Sequence, residues 1–496
     1  MQKSFGDSFW IALAPILLLI GLLSFNVIVF DNVLEIPNLG YDNYALGGPN
    51  QMALLLSAAF AGLLGLRQGI TWGKMMDGMV KSIGSVMSSV FILLLIGALA
   101  GTWLLSGTIP GMIYYGLDIL HPSIFLVATC IICALVSLAT GSSWGTIATI
   151  GIALLGIGKA LGFSEGLTAG AIISGAYFGD KISPLSDTTN LAPAMAGTDL
   201  FTHIRYMLYT TVPSFIICLI IFLVIGFQET KAGIGNISEI QTVIKSHFHI
   251  SPLILIVPAV VIGLILKKIP AVPALLAGTL AGGIYALIFQ PEVVSLIGGN
   301  SGNYFIDGYR AVFQSMVSNI SVPTENATIN DLLSTGGMYG MLNTIWLILC
   351  AMIFGGIMET CGYLQTLSKA ILKRAKSVFG LFAATTASCL GFNLTASDQY
   401  LAIVVPGRMY ADAFRKKGLA PENLSRTLED TGTVTSVLIP WNTCGATQSA
   451  VLGVATVAYL PYCFFNLISP IMTLIYAAFQ IKIRMLKDAK SEVKLA

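Results

Sequence analysis

The sequence predicts an all-α, polytopic membrane helical bundle with two inverted-topology repeats, each holding a hairpin and an interrupted helix. Three observations carry that prediction. Of the 496 residues 55% are hydrophobic and 10% charged, with a mean hydropathy of +0.82; a soluble domain carries about 25% charged residues, so most of this surface faces something other than water. The apolar runs are about 17 to 25 residues long, which suits helices crossing ~30 Å of hydrocarbon, whereas an outer-membrane barrel shows short alternating segments. Residues of the second half match those of the first near an offset of 255, with loop charges of the opposite kind.

In chain order, the first run, Phe9 to Phe30, follows a short polar start with Lys3; it is too long for a signal-peptide core and lacks a small-residue cleavage site, so it reads as a retained span. Further runs lie at about Gln51 to Leu66, Val86 to Leu105, Ile124 to Ala139, Ile147 to Leu161, Tyr209 to Gly226, Leu253 to Leu266, Ala271 to Phe289, Met338 to Met358, Leu381 to Leu394, Leu401 to Phe414 and Leu452 to Phe479. Two less apolar segments that carry acids, Ser164 to Gly197 and Leu424 to Gly445, bring the embedded segments to about 14. Positive side chains mark the cytoplasmic face: Arg67, Lys74 and Lys81; Lys267 and Lys268; Lys369, Lys373, Arg374 and Lys376; Arg415, Lys416 and Lys417; and Lys482, Arg484, Lys487, Lys490 and Lys494 in the tail. The connections with Asp31, Glu35 and Asp42, or with Glu292, Asp307, Glu325 and Asp331, then face out, and both termini lie in the cytoplasm of a bacterial inner membrane. The layout is an N-terminal span and external loop (1–49), transport repeat 1 (50–227), a linker with a connecting span (228–270), transport repeat 2 (271–482) and a cytoplasmic tail (483–496).

The composition also excludes functions. A net charge of +2 offers no basic field for nucleic-acid phosphates. Most of the eight cysteines, including the CxxC of Cys130 and Cys133, lie inside apolar runs with no charged partner to lower a thiol pKa, so they read as small buried hydrophobes. His121, His203, His247 and His249 fall near loop ends with no HExxH spacing, and no Rossmann or P-loop glycine pattern occurs. Neither a metal enzyme nor a nucleotide-driven protein is expected, and no cofactor is implied.

Near the offset of 255, Thr140-Gly141-Ser142 matches Thr395-Ala396-Ser397, Gly101 matches Gly356 and Gly107 matches Gly362; the register drifts by one or two residues where Gly175 matches Gly432 and Pro184 matches Pro440. The connection after Gln51 to Leu66 is basic, while its counterpart after Ala271 to Phe289 is long and acidic. Conversely, the nearly uncharged stretch after Gly107 corresponds to one after Gly362 with four positive residues. Equivalent loops thus face opposite sides, the arrangement of secondary transporters whose sites lie near the midplane at interrupted helices.

A charge at the bilayer centre costs roughly 3 kcal/mol, so acids inside these segments need a reason. They stand among oxygen-bearing residues in four clusters: Thr140, Ser142 and Ser143 at the first hairpin tip; Asp180, Ser183, Ser186, Asp187, Thr188, Thr189 and Asn190 in the first interrupted segment; Thr395, Ser397 and Asp398 at the second tip; and Glu429, Asp430, Thr431 and Thr433, then Asn442 and Thr443, in the second interrupted segment. All are candidate ion- or substrate-binding residues. Pro184 and Pro440 remove backbone donors, so the helices should open at Ser183 to Pro184 and at Pro440 to Asn442. The freed carbonyls, with hydroxyls and carboxylates, make an all-oxygen cage for a hard cation such as sodium. Asp187 is the first choice for a carboxylate that alternates between sodium and a proton, with Ser142 and Asp398 as further sodium ligands and Asp180 and Asp430 as partners. Other readings stand beside these. Asp180 and Lys181 form a salt bridge that serves only structure; Glu429 and Asp430 point about 100° apart on a helix, so one of them lines the path. Arg408 is a positive-inside anchor or holds an organic anion, Thr210, Thr211 and Ser368 bond back to their own helices, and Trp144 and Trp441 form the site wall.

The runs Thr-Gly-Ser-Ser-Trp-Gly-Thr at Thr140 to Thr146, Gly-Asp-Lys-Ile-Ser-Pro-Leu-Ser-Asp-Thr-Thr-Asn at Gly179 to Asn190 and Ile-Pro-Trp-Asn at Ile439 to Asn442 resemble the signatures of the NhaC family of sodium/proton antiporters. The likeness runs from about Ile11 to Phe479. It implies a place in the wider ion transporter superfamily, with hairpins at Ile124 to Leu161 and Leu381 to Phe414 and with Ser142 and Ser397 near their tips. It also implies export of sodium in exchange for protons, with lipid, sodium and protons as partners, an oligomer left open and no enzymatic activity. The family includes exchangers resembling malate/lactate antiporters and members linked to amino acids, so a sodium- or proton-coupled exchanger of small carboxylates is the alternative, its anion meeting Arg408, Lys181 or tip amides. An intramembrane aspartyl protease has only Phe178-Gly179-Asp180 in its favour, and a passive channel would carry far larger flux. Single cysteines introduced at Lys373 and at Asn326 should label on opposite faces, cytoplasmic and external; labelling on one face for both breaks the inverted topology.

Overall fold

The computed structural model describes residues 9–29, 48–229, 237–324 and 327–486. Lys3, Asp31, Glu35, Asp42, Glu325, Asn326, Lys487, Lys490 and Lys494, on which part of the expected topology rests, lie outside the described residues. Helices α1 (Phe9–Val29), α2 (Pro49–Arg67), α3 (Trp72–Ser85), α4 (Met87–Leu105) and α5 (Thr108–Ile119) precede the first hairpin, α6 (Phe125–Thr140) and α7 (Ser143–Thr146), which continues through a π-turn at Ile147–Gly151 into α8 (Ile152–Ala160). α9 (Glu165–Ile182) and α10 (Asp187–Ala196) are two pieces of one interrupted segment, and α11 (Leu200–Glu229) follows. Next come α12 (Ile237–His247), α13 (Ile256–Leu266), α14 (Ala271–Phe289), α15 (Pro291–Gly298) and α16 (Tyr304–Val317), then an antiparallel ribbon of β1 (Ile320–Ser321) and β2 (Ser334–Thr335) enclosing α17 (Ala327–Leu332). α18 (Gly337–Thr360) and α19 (Tyr363–Arg374) lead to the second hairpin, α20 (Val378–Thr395) and α21 (Gln399–Lys416). α22 (Pro421–Leu428) runs into a π-turn at Glu429–Thr433, and α23 (Thr443–Leu452), α24 (Thr456–Tyr459) and α25 (Phe464–Ala478) complete the described chain.

Nine helical stretches among the described residues are long and apolar enough to cross a membrane, or up to eleven if each of two bent pairs is one span. The protein is a multi-pass membrane protein. The shortfall from 14 falls on α9 with α10, α21, and α22 with α23, the stretches that carry acids. The Leu452 to Phe479 run is not one straight span either: it bends by 55° ahead of Phe464. The lipid-facing surface is visible on α11, where Ile216, Ile220, Val224 and Phe227 are all at least half exposed along one face while Cys218 and Phe222 are fully buried on the other.

The closest helix packing has a simple cause. A Cβ on Gly175 would lie 2.1 Å from the Cys130 carbonyl oxygen, and one on Gly179 would lie 2.2 Å from that of Ala134. Two glycines one turn apart therefore lay α9 directly on the backbone of α6, where Ser137 Oγ donates to Ala176 O at 2.6 Å. Gly101 meets Ser315 O of α16 in the same way, and Gly356 of α18 meets Gly78 O of α3.

Both helix breaks fall where the prolines predict them, at 183–186 and 439–442. Gly107 and Gly362, matched by sequence, take φ of 72° and 73° ahead of α5 and α19, each 12 residues long. α10 and α23 are each ten residues long and each ends on a left-handed glycine, Gly197 or Gly453. At the tips the structure corrects the sequence register by one. Gly141 (φ 69°) and Ser397 (φ 57°) hold the left-handed positions, and Ser142 and Asp398 are the extended caps that follow. Ser142 therefore corresponds to Asp398, not to Ser397. Past α25 the chain returns to the α21–α22 loop as a strap: Ala420 N–H donates to Arg484 O at 3.0 Å, Leu486 N–H donates to Gly418 O at 2.8 Å, and Arg484 pairs with Glu422 at 2.8 Å.

Replacing Gly175 with Val forces α6 and α9 apart and should cost about 1–3 kcal/mol of stability, read as a lower melting temperature in detergent. Gly21→Ala, inside α1 and with an added Cβ that meets nothing within 4 Å, should not lower the melting temperature.

Candidate functional site

A cavity of about 390 Å³ opens between the two hairpin tips, the two helix breaks and the start of α4. Its acids are Asp180, Asp187 and Asp398, and its other polar lining includes Ser142, Ser186, Thr188, Gln399 and Thr443. Trp144, Tyr400, Ile92 and Leu275 form apolar walls. Trp144 is the wall the sequence suggests; Trp441 instead donates from Nε1 to Leu394 O at 2.8 Å and holds the second tip.

The packing of α9 on α6 delivers Asp180 to the first tip, where Ser143 N–H and Oγ both donate to Asp180 Oδ2, at 3.1 and 2.6 Å. Asp398 caps α21, accepting from Leu401 N–H at 2.9 Å. Asp187 is the first residue of α10 and the exposed member of the three. Four helices begin around the cavity: the one from Ser143, α10, α21 and α23, with Ser142, Ser186, Asp398 and Asn442 as their caps. Each N-terminus carries about half a positive charge, roughly +2 together. Three carboxyl groups face those four ends.

The other candidates divide between scaffold and a second polar region. The carbonyls freed at the first break do not open to the cavity: Thr189 Oγ1 donates to Asp180 O and Lys181 O at 3.2 and 2.9 Å, and Asn190 Nδ2 donates to Pro184 O and Ser186 O at 3.0 and 2.7 Å. Ser183 Oγ donates to Leu138 O at 2.8 Å and ties the break to α6. Asn442 Nδ2 donates to Asn393 O at 3.0 Å, and its Oδ1 accepts from Cys444 N–H at 3.0 Å. Thr395 bonds back to Gly391 O, and Thr140 Oγ1 lies 3.5 Å from Ser137 O. The strained Ser397 is held by its carbonyl, which accepts from Thr443 N–H at 2.9 Å; its hydroxyl is buried and unpartnered.

Lys181 does not pair with Asp180. Its ammonium bonds the Asp430 carboxylate, with both side chains fully buried, and donates to Ser469 Oγ at 3.0 Å. Asp430 also accepts from Thr473, from Ser469 at 3.2 Å and from Thr210 at 2.8 Å. Thr210 thus serves this pair besides lying 3.1 Å from Met207 O of its own helix. Neither Glu429 nor Asp430 lines the cavity; Thr431 and Thr433 are buried beside them on the π-turn, Thr431 Oγ1 lying 3.5 Å from Thr386 Oγ1.

Sequence reasoning missed Ser85, Ser88, Ser89 and Tyr400 as lining residues. Ser88 and Ser89 follow Ser85 by three and four positions, across the junction of α3 and α4 at the head of an apolar run. Gln399 Oε1 accepts from Ser436 Oγ at 3.3 Å and lies 3.1 Å from Cys444 Sγ, linking the second tip to the second break.

A multi-pass bundle whose hairpin tips and broken helices surround an acidic internal cavity is built as a secondary transporter. The chain belongs to the Na+/H+ antiporter family, whose family model matches residues 175–481. It is 39% identical to the Na+/H+ antiporter NhaC of Alkalihalophilus pseudofirmus over 86% of this chain and 89% of that one. It is 36% identical to the malate-2H+/Na+-lactate antiporter of Bacillus subtilis, again over 86% and 89%. It is also 36% identical to the arginine/ornithine antiporter ArcD of Halobacterium salinarum, over 87% of each chain. The NhaC resemblance read from the motifs is borne out.

Removing one partner of a buried ion pair costs about 3–5 kcal/mol, whereas replacing both with apolar residues is often neutral. Lys181→Met alone should therefore lower the melting temperature in detergent, and the double change Lys181→Met with Asp430→Leu should restore much of it.

Proposed function

We propose that the chain exchanges sodium for protons across a bacterial cell membrane, and that the three-acid cavity binds either ion. The observation that carries this reading is the lining: Asp180, Asp187 and Asp398 face it, and no lysine or arginine does among the described residues. An organic anion would need a cation there. Lys181 is engaged by Asp430, and Arg408 is exposed and absent from the lining. The likeness to a relative named for malate and lactate therefore carries less weight than the charge of the cavity.

In this reading Asp187, Ser142 and Asp398 ligate sodium, with Ser186, Thr188 and Thr443 close by, while Asp180 is steadied by Ser143. A bound cation favours the ionised carboxylate, and its departure leaves a charge deficit that a proton fills. Competition for one site then yields exchange. Residues 50–227 and 271–482 act as the two inverted repeats, moving against each other to expose the cavity alternately, with both termini cytoplasmic.

In proteoliposomes without organic solute, an outward sodium gradient should drive protons inward, and Asp187→Asn should abolish that movement while inserting normally. Absence of sodium-dependent proton movement in the wild type sinks the reading; exchange retained by the variant removes Asp187 from its role.

A further inference from the structure

Exchange at one site needs a cavity that opens to one side at a time, and the packing around α4 and α18 bears on how it closes. A Cβ on Gly97 of α4 would lie 2.4 Å from Gly337 O at the head of α18. Met352 Sδ of α18 lies 3.6 Å from Ser82 Oγ, ahead of α4. Each contact is the other moved by the offset of 255, with the two halves exchanged. The neighbours follow the same exchange: α4 packs on α14 and α16, and α18 packs on α2 and α3. The two helices end at the matched positions Leu105 and Thr360.

The hairpin tips depart from that symmetry. The second tip is seated on α18: Ala396 is fully buried, and a Cβ on Gly355 would lie 2.8 Å from its carbonyl oxygen. The matched residue of the first tip, Gly141, instead faces the cavity that Ser88 and Ile92 of α4 also line. The breaks differ in the same sense. Asp187 and Thr443 each begin the helix after a break, yet Asp187 is exposed, whereas Thr443 is buried on α23, which packs on α18. The cavity takes lining from α4 and α14 but none from α2 or α18 among the described residues. Ser85 and Ser88 are exposed at its edge, four and seven positions after Lys81, and Ile265 in the lining is followed by Lys267 and Lys268. By charge that edge is cytoplasmic.

We infer that Gly355 and its counterpart on α4, Ala100, are the two seats on which the hairpin tips settle in turn, and that the external mouth of the path lies at Asn343 and Thr344. This rests on the proposed exchange and on alternate exposure of its cavity. With the second tip on Gly355, the cavity opens to the cytoplasm. With the first tip on Ala100, it opens along the head of α18, where Asn343 and Thr344 occupy the positions of Ser88 and Ser89. Asn343 is held meanwhile by Gln51 of α2, whose Nε2 donates to Asn343 Oδ1 at 3.0 Å. A backbone carbonyl set against a helix cannot yield as the end of a side chain would. Bulk at either seat therefore disfavours one state and spares the other.

The test reads both mouths of the full-length protein in oriented vesicles with a membrane-impermeant maleimide. In separate proteins, Ser88→Cys is labelled from the cytoplasmic side and Thr344→Cys from outside; the native cysteines are all buried. The ratio of the external rate to the cytoplasmic rate follows the equilibrium between the two states. Gly355→Val should raise that ratio at least about fivefold and Ala100→Leu should lower it about as much, the scale of an ordinary overpacking penalty. A substitution that merely loosens the fold moves both rates the same way. A ratio that either substitution leaves in place, or that both move in one direction, overturns the inference. Where Gly355→Val does not fold, Gly355→Ala is read with Ala100→Leu, and the same opposition is expected. Sodium-driven proton movement by the protein without introduced cysteines keeps the two readings apart: its absence sinks the exchange, while an unmoved ratio with exchange intact sinks the two seats alone.

Discussion

Lys181 and Asp430 stand 249 positions apart in sequence and meet where neither can be left alone. A lone charge buried at that depth is costly, and the pair is tolerable only because hydroxyls complete its hydrogen bonding. Those hydroxyls come from α11 and α25, so a single contact fixes α9, the second π-turn and two long helices against one another. Everything of interest is then set by chain neighbours. Asp180 precedes Lys181 and reaches the first tip, and Glu429 precedes Asp430 on the π-turn.

The cavity solves a related problem of charge in a different way. Its acids have no basic side chain facing them among the described lining residues, yet each lies at or beside a helix N-terminus, and two accept hydrogen bonds from N-terminal amides. Dipoles supply partial compensation without donating a full cation. A lysine there would hold the acids permanently, whereas helix ends offer them no full cation.

The helix breaks were legible because Pro184 and Pro440 stand near small polar residues; Pro193, Pro213 and Pro406 remain inside helices. The acids were legible too, since polar residues in apolar surroundings stand out. What escaped was non-local or conformationally unusual. Nothing near Lys181 in the chain pointed to Asp430 rather than to its neighbour Asp180. The second tip was read one residue early because a serine, Ser397, takes a left-handed conformation ordinarily given to glycine, moving the cap to Asp398. The expectation that one of Glu429 and Asp430 would line the path assumed a regular helix, and the π-turn changes their directions. Ser85, Ser88 and Ser89 carry no charge to single them out, and the fold brings them to the cavity.

The strap beyond α25 has a mechanical meaning. Its bonds at residues 418–420 and 484–486 fasten the end of the last long helix to the loop between the second hairpin and the segment carrying Glu429. Any tilt of that hairpin must drag α25 with it. Because α25 supplies Ser469 and Thr473 to Asp430, the strap also ties the second hairpin to the π-turn and the buried pair.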